Sequence, residues 1–81
     1  MRKAKRYREA EKVELEVIKG REKLLGPNHE DTLWTKCNYA VTLKNLKRYE
    51  EAEKLYLEVI EKSEASLGPD NYLQSFARQN L

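Results

Sequence analysis

The chain has 81 residues, 37% of them charged and 40% hydrophobic, with a formal net charge of +2 and a mean hydropathy of −0.91. That length holds one small domain, and charges of both signs that nearly cancel argue against nucleic-acid binding through the overall field. No apolar run approaches the roughly 18 residues of a membrane span, no apolar stretch follows the basic opening as a secretory signal requires, and a single cysteine, Cys37, leaves no internal disulfide and fits the reducing cytoplasm.

Tyr7, Ala10, Val13, Val17 and Ile18 recur at three- and four-residue steps, which predicts a first helix over about 3–25. Gly26-Pro27 ends it, because glycine accepts the left-handed geometry past a helix end and proline cannot continue the ladder. Asn28 is the expected N-cap of a second helix over 30–46, with Asp31 three positions on as a capping-box analogue. Its apolar residues, Leu33, Trp34, Cys37, Tyr39, Ala40, Val41, Leu43 and Leu46, spread over more than half the circumference. Such a helix is expected to lie between neighbours rather than on one surface.

The joint "KNLKRYEE" is tight and has no glycine, so Lys47 is expected to leave the helical region. A left-handed non-glycine residue costs on the order of 1 kcal/mol. One continuous helix over 30–66 is the competing reading, weakened because the apolar stripe of 33–46 does not continue in phase into 49–60. A third helix over 49–66 carries Tyr49, Ala52, Leu55, Tyr56, Val59 and Ile60 at helical spacing, and Gly68-Pro69 closes it. Asp70 is the expected cap of a fourth helix over 71–81. The fold class is therefore all-α.

The third helix restates the first. "RYREAEKVELEVI" at 6–18 returns as "RYEEAEKLYLEVI" at 48–60, "LGPN" at 25–28 as "LGPD" at 67–70, and Asn38 as Asn80, all at an offset of 42 residues. Fourteen of the 22 positions from Arg6 to Pro27 are identical to those from Arg48 to Pro69. Self-similarity at a fixed period of this size is the mark of a stacked repeat.

The stretches "LGPNHEDTL" at 25–33, "NYA" at 38–40 and "RYEEAEKLYLEVIEKSEASLGPD" at 48–70 resemble tetratricopeptide repeats, and more narrowly the 42-residue kinesin-light-chain type. The resemblance implies a right-handed solenoid of antiparallel helix pairs. Departures from the family pattern are Glu30 in place of proline, Lys47 in place of the turn glycine, Val17 and Val59 in place of alanine, and Glu14 in place of an aromatic. Gly20 weakens the first helix by about 1 kcal/mol relative to alanine. By phase, Met1 aligns with Leu43 and Leu81 with Tyr39, so the chain reads as a single partial array over 1–81. An array of this kind normally needs about three repeats and polar caps to stand alone. The length is three residues short of two periods, so head-to-tail stacking of copies is a further expectation.

The resemblance also implies a function: a protein–protein interaction module that binds peptide segments on its concave face, lined by the second and fourth helices. Trp34, Asn38, Val41, Thr42 and Asn45 are expected on that arc of the second helix. Asn38 and Asn80 match the family asparagine that hydrogen-bonds a ligand backbone, a task suited to an amide with both donors and an acceptor. Trp34 offers a large rigid contact, and Lys44 attracts acidic peptides. The expected peptide-binding set is Trp34, Asn38, Val41, Asn45 and Asn80. Its structural counterpart has Asn38 satisfying backbone at a repeat junction, and Trp34 and Phe76 packing against the neighbouring repeat.

The remaining candidates lead away from catalysis. His29 beside Glu30 and Asp31 has no second ligand at i+4, so it reads as a capping or turn residue rather than a metal ligand. Cys37 and His29 stand eight residues apart, about 12 Å along a helix, too far for a nucleophile and its base. The opening "MRKAKRYR" reads as a solvated helix end, and no glycine-rich phosphate loop occurs. The expectation is a non-enzyme without cofactor or metal, with protein or peptide partners, a possible end-to-end homo-oligomer, and no nucleic-acid or membrane partner.

Overall fold

The computed structural model describes residues 3–81, with side chains from Arg6 onward. The alignment of Met1 with Leu43 and the first part of the basic opening lie outside the described residues. Four helices follow in order: α1 (Lys3–Leu25), α2 (Glu30–Asn45), α3 (Tyr49–Leu67) and α4 (Tyr72–Asn80). The continuous helix over 30–66 is not formed. α2 packs against α1, α3 and α4, and α3 also packs against α4, so α2 is the sandwiched element its apolar circumference requires.

Both Gly-Pro stops work as expected. Gly26 and Gly68 take φ of 96° and 90°, and their N–H groups donate to Glu22 and Glu64 carbonyls at 3.0 Å. Lys47 supplies the third stop, with φ of 65°. Its N–H reaches the Lys44 carbonyl at 3.0 Å and the Arg48 N–H reaches the Leu43 carbonyl at 2.9 Å. This pair of backward bonds satisfies carbonyls at the end of α2 and offsets the strain of a left-handed lysine.

The N-caps fall one residue later than the sequence suggests. His29, not Asn28, takes the extended geometry before α2 (φ −67°, ψ 145°), and its Nδ1 accepts the Asp31 N–H at 3.1 Å. Asp70 does not cap α4, because it sits at φ 60° and directs its N–H to Gln74 Oε1. Asn71 is the cap, its Oδ1 accepting the Gln74 N–H at 2.9 Å while its Nδ2 donates to the Gly68 carbonyl. Asn71 thereby ties the end of α3 to the start of α4.

The core forms two clusters at the helix crossings. Leu33, Cys37, Val59 and Leu73 make one; Ala40, Leu43, Ala52, Tyr56 and Ala77 make the other, with Phe76 packed on both. Leu33, Val59 and Leu73 are fully buried, and each such side chain contributes about 1.5–3 kcal/mol relative to exposure. The small residues Ala40, Ala52 and Ala77 let the helices approach at the second cluster. Gln74 of α4 is buried, and its Nε2 donates to the Ile60 carbonyl of α3 at 3.0 Å.

Candidate peptide-binding face

Residues 34, 38, 41 and 45 follow i, i+4, i+7 and i+11 steps along α2 and so share one arc of it. Asn38 and Asn45 are exposed, and Trp34 is 39% exposed. Val41 is half-buried, packed on the cluster around Ala40 and Leu43. Thr42 lies off the arc: it is buried, its hydroxyl donating to the Asn38 carbonyl at 3.2 Å. The reason is geometric, since one step of about 100° from Val41 turns the side chain toward α1.

Trp34 is both packed and partly open. Its ring meets Phe76 of α4 edge-on at 5.3 Å, with planes at 60°, and Tyr72 at 6.2 Å in a tilted contact. Aromatic pairs in such geometries contribute about 0.5–1.5 kcal/mol beyond their buried area. Tyr72 was not legible as part of this cluster. Its hydroxyl donates to the Glu30 carboxylate, and that bond, with burial, pushes the phenol up to about 12. Tyr72 occupies the repeat position of Glu30, where the preceding repeat has a carboxylate and no aromatic.

Asn80 is half-buried at the end of α4. Its Nδ2 donates to the Phe76 carbonyl at 2.8 Å, and its own carbonyl accepts Lys44 Nζ at 3.3 Å. The Asn80 side chain thus already supports the backbone. Lys44, Tyr49, Glu53, Asn80 and Leu81 border an open cavity of about 240 Å3 at this end of the molecule. Trp34, Asn38 and Asn45 are the members of the expected set that present exposed groups on α2; Val41 supports them from below.

Two charged clusters escaped the sequence reading. Lys36, only 4% exposed, lies between Glu22 of α1 at 3.0 Å and Glu58 of α3 at 3.1 Å, and Lys62 joins Glu58 at 2.7 Å. Burial works to lower the Lys36 pKa, but the bonds and charges of Glu22 and Glu58 outweigh it and hold the ammonium above its ordinary range. Burial likewise works to raise Glu58, and Lys62 and Lys36 override it, holding the carboxylate below its usual value. In the second cluster Glu11 of α1 accepts from Arg48 and from the Tyr39 hydroxyl, and Arg48 also pairs with Glu51. Cys37 is fully buried, and that burial pushes its thiol up to about 12, an inert environment rather than a nucleophile's. No helix of the described residues is long and apolar enough to cross a membrane.

Helices that recur at a constant 42-residue offset, with α2 packed against α1, α3 and α4, define a helix-pair repeat protein. The comparison with protein families is specific on the class: the tetratricopeptide repeat model matches residues 1–64, and the chain belongs to that family of protein–protein interaction modules. No curated protein and no solved structure matches the chain.

Proposed function

We propose that this chain is a kinesin-light-chain-type array that captures an extended peptide segment along α2 and α4, within a cytoplasmic scaffold or adaptor. One observation carries the reading. Trp34, Asn38 and Asn45 offer an exposed aromatic and two exposed amides along one arc of α2, and Phe76 and Asn80 of α4 stand at the matching positions one repeat on. Asn38 supplies a donor and an acceptor to a peptide backbone, while Trp34, already braced by Phe76 at 5.3 Å, offers a surface with little rotamer freedom left to lose. Lys44 adds a preference for acidic ligands. A random peptide display library selected on the chain tests this: Asn38→Ala should abolish enrichment while helicity stays intact. Unchanged enrichment on Asn38→Ala and Trp34→Ala together would remove the groove from consideration.

A second reading, self-assembly of partial arrays through their ends, is favoured by a separate observation. Val59 of α3 is fully buried and Leu55 half-buried against the rest of the fold, whereas their counterparts one repeat earlier, Val17 and Val13 of α1, are 36% and 59% exposed. The same helical arc is covered in α3 and bare in α1.

A further inference from the structure

Among the described residues, neighbouring repeats are joined by two ionic contacts, and both have exposed counterparts on α1 and on the α3–α4 side. The first contact is the clamp in which Lys36 of α2 bridges Glu22 of α1 and Glu58 of α3. One repeat later the first two positions are Glu64 and Arg78, both exposed. The third would fall at position 100, beyond the chain, but counted back by two periods it is Glu16, exposed on α1. The second contact is Arg48 on Glu11. One repeat later the carboxylate is Glu53, exposed at the border of the open cavity, and the cation position, counted back the same way, is Arg6, exposed on α1.

We propose that a second copy of this chain docks its α1 on the α3–α4 end of the first, with its Glu16 completing the Arg78–Glu64 clamp and its Arg6 reaching Glu53. The proposal rests on the self-assembly reading and gives it a surface and a register. Each of the five positions keeps the sign of charge of its internal counterpart, so the two contacts demand the same displacement of two whole repeats. The end of the molecule also explains the character of the contact. Where α2 presents Leu33 and Cys37, α4 presents Ser75 and Gln79, both exposed. Val13 and Val17 of the incoming copy therefore meet a polar surface, and charge rather than apolar burial sets the strength. Such a contact is heterologous, leaving a free end on each side, and it grows with concentration rather than closing at a dimer. Being made of exposed pairs, it weakens as salt shortens the screening length.

Sedimentation velocity over a wide concentration range, with helicity measured on the same samples, tests it. The expected result is a mass that rises with concentration and falls back with added salt. Arg78→Glu should raise the concentration needed for association by roughly tenfold or more, because it opposes like charges. Glu16→Arg, on exposed α1 and independent of α4 folding, should do the same, and the two changes combined should restore association. Association untouched by either reversal, or a closed dimer, would overturn the proposed register while leaving self-assembly standing. A folded monomer at every concentration would overturn both.

Discussion

Lys36 of α2 and Glu58 of α3 meet at 3.1 Å, and Glu22 of α1 closes on the same ammonium at 3.0 Å. One buried cation thus fastens three consecutive helices. The carboxylates are each about one-third exposed, at 37% and 36%, so water takes them up if the lysine is removed. Lys36→Met, which keeps the buried stem, should therefore cost only about 1 kcal/mol, and Lys36→Ala about 2–3 kcal/mol because it also leaves a cavity. Urea unfolding followed by circular dichroism checks the order Met above Ala.

The same clamp sets a pH window. Lys36 is raised in the fold, so its contribution is complete below its ordinary pKa of 10.5 and is lost as pH climbs through the higher folded value. Glu58 is lowered, so its contribution is complete above its ordinary 4.5 and is lost as pH falls through the lower folded value. Lys36→Met should make the alkaline slope above about pH 10 shallower by the share Lys36 supplies, leaving the part due to Cys37 and to the raised tyrosines Tyr39, Tyr56 and Tyr72. Thermal midpoints of both proteins across that range measure the difference.

Glu14 works in the opposite sense. Burial raises its pKa, and its Oε1 is buried without a partner. A carboxylate raised in the fold gains stability as pH falls through its folded value and weakens the fold when ionised. Glu14→Gln keeps the shape while removing the charge. It should raise the unfolding midpoint at pH 7 by an amount equivalent to about 0.5–1 kcal/mol, and the gain should vanish near pH 4. Denaturation at the two pH values checks it.

Cys37 is fully buried with its thiol pushed up to about 12. Thiolate is the reactive form, so a disulfide reagent at pH 8 should label Cys37 only as fast as the chain opens. Raising urea should accelerate labelling in step with the loss of helicity. Rapid labelling of the fully helical protein would contradict this burial.

Which features were legible depended on whether a local rule decided them. The four helices, both Gly-Pro stops and the left-handed Lys47 follow from spacing and from what the backbone permits at each joint. The caps shifted by one because several cap-competent residues adjoin: Asp70 takes the left-handed turn and Asn71 inherits the capping role. Lys36 was hidden because a lysine ordinarily reads as solvated. Its burial follows from α1 and α3 closing on its side of α2, with Glu22 and Glu58 flanking it there, a placement that depends on where the neighbouring helices lie. On the candidate face, the exposure of Asn38 and Asn45 and the Trp34–Phe76 contact agreed with the repeat phase. Thr42 did not, because its turn toward α1 depends on where the neighbouring helix lies.

The central claim is that ligand peptides lie along α2 and α4. Side-chain amide and indole NMR signals of the labelled chain, titrated with a peptide selected from a display library, address it most directly. Binding on that face should shift the Asn38, Asn45 and Asn80 amides and the Trp34 indole together, with the exposed outer faces of α1 and α3 unmoved. Shifts centred on those outer faces, with the Trp34 and Asn38 signals stationary, would contradict it.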